Sequence, residues 1–346
     1  MPARRSLAWG FLGTGKIARV LAEAIKQSST GHLAAVGSRS VETARAFAHE
    51  WGIPRAFGSY EEVLACKEVD AVYISLPNRL HAEWTIRCAE AGKHILCEKP
   101  FTVNRAEAER AIEVVRQAKV FLMEAFMYRC HPQTRRLVEI VRRGEIGEVR
   151  MIQASFSFNM GLNLQNIRLS NTEAGGGIMD VGCYPLSMAR LVAGAARGNP
   201  FLNPSEVRGT AFLGEQSRVD QQATASLKFP GGCVADLSCG TQVATDSAVR
   251  IWGSEGHALV PVPWKPADRH ARLVVLRRGE TSPTEELIDS PAPLYTLQVD
   301  AVAAAIKNHD TEVKAPGMTW ADTLGNMAAL DAWRASVGLS FDCERR

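Results

Sequence analysis

The stretch Leu7-Ala8-Trp9-Gly10-Phe11-Leu12-Gly13-Thr14-Gly15-Lys16-Ile17-Ala18 decides the fold. Leu7 to Leu12 is an apolar run that reads as a buried strand. Lys16 to Gln27 reads as a helix with Ile17, Val20, Leu21, Ala24 and Ile25 on one face. Between them, Gly13-x-Gly15-x-x-Ala18 places glycines where the chain must turn sharply and where backbone can approach a pyrophosphate. Ala18 is small enough for the helix to pack closely on the strand. The helix N-terminus offers unpaired N–H groups and a positive dipole end to phosphate. In this strand–turn–helix context the pattern points to a dinucleotide site, with Gly13, Thr14, Gly15, Lys16 and Ile17 as its phosphate-side candidates.

Moving outward, strands and helices alternate through residue 125. Leu33 to Gly37 is a second strand and Val41 to Trp51 a second helix. Asp70 to Leu76 is a β-branched strand, followed by a helix from Leu80 to Ala91 that ends at Gly92. His94 to Cys97 and Val120 to Ala125 are strands flanking a helix over Arg105 to Ala118. Nearly uniform apolar strands joined by helices imply a parallel sheet covered on both faces.

The pattern changes from residue 126. Pro132 to Arg143 reads as a helix and Val149 to Phe158 as a long alternating strand. A polar segment, Asn159 to Thr172, leads into Gly175-Gly176-Gly177 and a helix over Ile178 to Val192. Strands follow at Val207–Phe212, Ala223–Phe229, Cys233–Cys239 and Ala248–Trp252, then helices at Leu297–Lys307 and Trp320–Val337. The expected class is therefore α/β: a Rossmann domain over 1–125, then an α+β domain over 126–346 built on a large, mostly antiparallel sheet.

The second strand ends Val36-Gly37-Ser38-Arg39-Ser40, with no acid before Glu42 to bind a ribose 2′-hydroxyl. Ser38 can donate to a 2′-phosphate, and the Arg39 guanidinium can pair with it or stack on adenine. NADP is thus expected over NAD, with NAD still possible.

Two further groups carry chemistry. Lys99, in Cys97-Glu98-Lys99-Pro100, follows a strand of the parallel sheet, at the edge where such sheets bind ligands. The proline disfavours helical backbone at Lys99. Asp180 and Tyr184 lie four apart, one helical turn, just after the three glycines, which let chain approach a ligand closely. Asp180 sits among apolar neighbours and needs a partner, for which a lysine or a substrate hydroxyl is expected.

A net charge of +3 with no long basic run gives no basis for nucleic-acid binding. No apolar run is long enough to span a bilayer. Met1 to Ser6 is short and basic without a signal-peptide core. The eight cysteines are scattered without a C-x-x-C pair, which suits reduced thiols in the cytoplasm, and no metal site is expected.

Gly13-Thr14-Gly15-Lys16-Ile17-Ala18, Pro77-Asn78-x-x-His81, Glu98-Lys99-Pro100 and Gly175-Gly176-Gly177-x-x-Asp180-x-Gly182-x-Tyr184 together resemble the Gfo/Idh/MocA oxidoreductases. Tyr184, where many members have histidine, and Met123 to Pro132 resemble the branch of glucose–fructose oxidoreductase, dimeric dihydrodiol dehydrogenase and NADP-linked xylose dehydrogenase. The resemblance implies Lys99 as catalytic lysine and Asp180 as its acidic partner. It also implies Leu76, Asn78, His81, Glu98, Arg129 and Arg168 near cofactor or substrate, and a homodimer or homotetramer built through the second sheet. On this basis Tyr184 is expected to exchange a proton with a polyhydroxylated small molecule while hydride moves to or from nicotinamide. Asn159, Asn163, Gln165 and Asn166 could read sugar hydroxyls or serve only the loop. An NAD-dependent redox glycosidase and a non-catalytic NADP sensor are the competing readings. The missing acid after the second strand and Tyr184 in place of histidine speak against the first, and the retained Lys99, Asp180 and Tyr184 against the second.

Overall fold

The computed structural model of the protein describes residues 6–345, so the expectation for Met1–Arg5 falls outside the described residues. The chain divides into two units. The first comprises the stretch through Thr102, Ala106–Met127 and Ala292–Trp320; the second comprises Val103–Arg105, Tyr128–Pro291 and the stretch from Ala321.

In chain order the elements begin β1 (Leu7–Leu12), α1 (Lys16–Gln27), β2 (Gly31–Gly37), α2 (Val41–Trp51), β3 (Arg55–Phe57), α3 (Tyr60–Ala65), β4 (Ala71–Ile74), α4 (His81–Glu90), β5 (His94–Cys97), α5 (Arg105–Ala118) and β6 (Leu122–Glu124). The six strands form one parallel sheet in the order β3-β2-β1-β4-β5-β6. The chain runs outward from β1 to β3, then starts again on the other side with β4. The crevice at the carboxyl ends of β1 and β4 is the switch point where such sheets take ligands.

The two glycine-flanking elements lie where the sequence predicts, but the buried face of α1 is rotated. Ala18, Leu21, Ala22, Ala24 and Ile25 are buried, whereas Val20 is 40% exposed and Ile17 only half-buried. The face nearest the sheet runs 18, 21, 22, 25, at helical spacing, and its two alanines let the helix lie close. Two short elements, β3 and α3, are not predicted: three and six residues are too few for a periodic signal. Ser59 opens α3 with a capping box, its hydroxyl accepting from Glu62 N–H and the Glu62 carboxylate accepting from Ser59 N–H.

The second unit holds α6 (Pro132–Arg142), β7 (Val149–Ser157), α7 (Cys183–Ala195), β8 (Glu206–Leu213), β9 (Asp220–Lys228), β10 (Val234–Gly240), β11 (Val249–Gly253), β12 (His257–Val260), β13 (Ala271–Leu276) and β14 (Thr284–Ile288). Of the last two helices, α8 (Leu294–Lys307) belongs to the first unit and α9 (Trp320–Ser336) falls almost wholly in the second. In the first unit Ser28 and Thr30 donate to Asp300 of α8 at 2.6 and 2.7 Å. The second sheet has eight strands in the order β14-β13-β12-β11-β7-β10-β9-β8, antiparallel throughout except for the β7–β10 pair. Strands β12 to β14 are not predicted; β14 is largely exposed and lacks a buried face to give alternation.

Helix α7 is buried along its whole length. The residues before it, Ile178–Gly182, form a π-helical turn rather than the predicted start of an α-helix. Positions four apart therefore do not stack as the sequence pattern assumes for Asp180 and Tyr184. The opposite face of the sheet is exposed: Met151 and Val234, paired in register on β7 and β10, are 41% and 43% accessible, and Phe212 on β8 is 55%. None of the helices in the described residues is long and apolar enough to cross a membrane.

Candidate active site

The glycine turn of the first unit is held from two sides. Gly13 has φ +99°, a conformation side chains rarely adopt, and its N–H donates to Gly37 O at 3.1 Å, tying it to the end of β2. A β-carbon there would sit 3.0 Å from Ser75 O and 3.3 Å from the Leu76 side chain. Gly15, at the N-terminus of α1, is the contrary case: apart from its own neighbours in the chain, no described atom lies within 4 Å of where its β-carbon would be, and no side chain caps the helix. Exposed backbone at an uncapped helix start is the arrangement a pyrophosphate requires. Thr14 is half-buried and Lys16 exposed beside it.

Ser38 and Arg39 follow β2 directly, half-buried and exposed respectively. Ser40 then caps α2, accepting from Thr43 N–H at 3.2 Å. Glu42, the first acid after the strand, is engaged by the Ser40 hydroxyl at 2.8 Å, a contact that lowers its pKa.

At the end of β5, Glu98 accepts from the Tyr73 hydroxyl at 2.5 Å and from Lys99 N–H at 3.3 Å. Lys99 is half-buried, and the peptide joining it to Pro100 is cis. Glu124, 2% exposed at the end of β6, accepts from Phe101 N–H at 2.9 Å and so fastens the loop after Lys99. Asn78 begins a short 3₁₀ turn after β4. His81 follows it, 1% exposed, with Nδ1 2.9 Å from Pro100 O and Nε2 2.8 Å from Leu76 O. Burial pushes its pKa down against the pull of the two carbonyls. The ring thus joins the loop after β4 to the loop carrying Lys99.

In the second unit, Asp180 accepts from Arg168 Nε at 2.6 Å, a partner twelve residues upstream that the sequence did not indicate. Arg168 is 42% exposed and Asp180 13%, and the guanidinium lies 5.9 Å over the Phe158 ring. Tyr184 is 5% exposed in an aromatic cage: Phe156 at 5.1 Å, Tyr128 at 5.9 Å and Trp264 at 5.9 Å between centroids. Trp264 is itself fixed by Nε1 donating to Ser155 O at 2.8 Å. Edge-on and tilted packing against three rings adds to the burial that holds the phenol in place.

Arg129 is only 1% exposed. Its guanidinium donates to Asp322 at 2.5 Å and to the Ser187 hydroxyl at 2.8 Å. Arg190, on α7, shares the same carboxylate at 2.6 Å. In the loop, the side-chain oxygens of Asn159, Asn163 and Asn166 accept from backbone N–H groups two residues on, each at 3.0 Å. Those oxygens serve the loop's own turns, while Gln165 is exposed. The glycine triplet also admits chain: β-carbons on Gly175 and Gly176 would meet Ile167 O at 2.5 Å and Asp220 Oδ1 at 2.2 Å. Asp220 and Trp264 had no motif to reveal them; a lone acid opening a strand is the only signal for the first.

The eight cysteines are thiols, seven of them buried, and burial pushes Cys130 and Cys233 up to about 11. Among the described residues no cluster of three or more His, Cys, Asp or Glu could hold a metal ion.

Residues 7–126 match the NAD-binding Rossmann-fold domain of the GFO/IDH/MocA oxidoreductase family, and residues 134–259 match that family's C-terminal domain. The chain is 34% identical to D-xylose 1-dehydrogenase (NADP(+)) 2 of Haloferax volcanii, over 94% of this chain and 96% of that one. It is 31% identical to trans-1,2-dihydrobenzene-1,2-diol dehydrogenase of Mus musculus, over 76% and 77%. Among solved structures, a 3-ketoreductase from Actinomadura kijaniata in complex with NADP and TDP-benzene superposes with a TM-score of 0.84 at 28% identity, covering 96% of this chain and 98% of that one. Two matched domains in order, and a relative 34% identical over nearly the full length of both chains, make the chain a member of the GFO/IDH/MocA family of nicotinamide-dependent oxidoreductases.

Proposed function

We propose that the protein uses NADP to move hydride between nicotinamide and a carbinol or carbonyl carbon of a sugar, sugar derivative or vicinal diol. The observation that carries this reading is the uncapped, unobstructed Gly15 start of α1 with Ser38 and Arg39, and no acid, at the end of β2. The relatives named for xylose and for a dihydrodiol, and the NADP-bound ketoreductase, support the same substrate chemistry.

The fit to the dinucleotide is specific. Backbone N–H groups of Gly15 and Lys16 would face the pyrophosphate, and Ser38 and Arg39 the 2′-phosphate. Leu76, Asn78 and Glu98 border the same sheet edge. When bound, nicotinamide supplies the hydride acceptor or donor. In oxidation Tyr184, as tyrosinate, takes the substrate hydroxyl proton while the C–H bond gives up its hydride; in reduction the phenol returns that proton to the carbonyl oxygen. As the family resemblance implies for Lys99, a catalytic lysine cation would favour tyrosinate and stabilise developing alkoxide charge. Asp180, steadied by Arg168, orients a substrate hydroxyl or the lysine. His81 and Arg129 act from behind, by holding backbone and by anchoring α7. We further infer a homo-oligomer through the exposed face that carries Met151, Val234 and Phe212.

The test is a panel of aldoses, anhydro-ketoses, inositols and vicinal diols, followed by absorbance with NADP(H) and NAD(H). Turnover of at least one class, faster with NADP(H), is expected. Turnover only with NAD(H), or cleavage of an aryl glycoside in its place, would overturn the reading.

A further inference from the structure

Asp220 is the first residue of β9 and is 0% exposed. Its Oδ2 accepts from Ile178 N–H at 2.6 Å, and the Gly177 N–H bonds to the same carboxylate. Those two groups open the π-helical turn whose third residue is Asp180 and which runs directly into Tyr184. The glycines make room for the acid: a β-carbon on Gly176 would overlap its Oδ1, and one on Gly177 would lie 3.0 Å from Oδ2. Among the described residues Oδ1 has no hydrogen-bond partner.

We propose that Asp220 is a positioning residue whose carboxylate holds the glycine triplet and the turn carrying Asp180 and Tyr184 in their working arrangement. This rests on the reading of Asp180 and Tyr184 as substrate-facing groups. A hydroxyl or an amide could cap a helix start without the penalty of a buried charge, so a carboxylate here is expensive.

Its surroundings set when it is charged. Desolvation pushes its pKa up to about 7, opposed by the Ile178, Asp220 and Gly177 N–H groups and then by Arg334 on α9. Cys239 on β10 faces it, with Cys183 and Asp180 beyond on the helical segment, and none of these adds positive charge. Arg334 is already committed to Asp331 and Glu344, each at 2.9 Å. The acid therefore changes charge near neutral pH, and the anion, facing a helix start, grips the two N–H groups more strongly than the neutral acid.

The sign follows. The folded state keeps the proton to about pH 7 whereas an unfolded aspartate loses it near 4. Stability from this site is therefore greatest in acid and declines as pH rises from about 4 to about 7. Asp220→Asn keeps an acceptor but removes the charge. The variant's kcat should match wild type at pH 5 and fall tenfold or more at pH 8, with the KM for NADP within twofold. Its thermal midpoint relative to wild type should rise from pH 5 to pH 8. A kcat ratio independent of pH, or turnover within twofold of wild type at pH 8, would overturn the proposal. Should the variant not fold, the 13C resonance of the Asp220 carboxyl in the wild-type enzyme decides: a midpoint near 7 is expected, and one near 4 would overturn it. Tyr184→Phe is assayed alongside; if that variant turns over normally, the catalytic reading fails whatever Asp220→Asn does.

Discussion

Asp322 stands between two guanidiniums, and neutralising it should be among the most damaging single changes to the second unit. Arg129 and Arg190 each donate to its carboxylate, at 2.5 and 2.6 Å, and the three side chains are 1%, 0% and 2% exposed. With Asp322 ionised the trio carries one net positive charge; Asp322→Asn leaves two buried cations facing one another. Breaking a buried pair costs about 3–5 kcal/mol. Here two cations lose one anion, which argues for the upper end. Neutral acceptors soften the loss: Asn203 Oδ1 takes Arg190 at 2.7 Å and the Ser187 hydroxyl takes Arg129 at 2.8 Å. We therefore expect about 4 kcal/mol, equivalent to a fall in Tm of roughly 8–16 °C for a unit of this size. Arg190→Met should cost less, because it leaves Arg129 and Asp322 as a neutral pair. Calorimetry or near-UV circular dichroism of the two variants gives the comparison. An Asp322→Asn midpoint within about 3 °C of wild type, or a milder effect than Arg190→Met, would refute the reasoning. The consequence reaches function, since Arg190 and Tyr184 share α7.

Arg39→Ala should weaken NADP binding by roughly 10–100-fold, the worth of about 1.5–3 kcal/mol for hydrogen bonds to a charged group, and leave NAD binding within twofold; titration calorimetry with each nucleotide checks both. Val234→Lys places a charge on the exposed sheet face beside Met151 and should shift the protein to a smaller species in sedimentation, with the monomer's near-UV spectrum unchanged.

The fold was legible wherever a hydrophobic period was long and a turn motif adjoined it. The strand, glycine turn and helix from Leu7 to Gln27 are placed residue for residue. The buried face of α1 was not, because apolar chemistry at Ile17 and Val20 does not reveal which neighbour lies nearest; the alanines do, through their size. Strands β12 and β13 alternate in burial, but apolar Leu259, Val274 and Leu276 occupy the less buried positions and mask the period, and the edge strand β14 has no buried position at all. In the site, residues with a motif were legible as candidates, but their partners were not. Arg168 reaches Asp180 across twelve residues, and Asp220 reaches the glycine triplet across more than forty. No local pattern encodes such pairs. Nor does sequence distinguish an α-turn from the π-turn that re-aims Asp180 relative to Tyr184.

In the proposed mechanism Tyr184 exchanges the substrate proton and Lys99 supports it. The most direct test of this mechanism is steady-state kinetics of Tyr184→Phe and Lys99→Met, with NADP(H) binding measured separately. Both variants should bind the nucleotide within a few-fold of wild type and lose at least about 100-fold in kcat, the usual contribution of a general acid–base group. Near-wild-type turnover in both would contradict it.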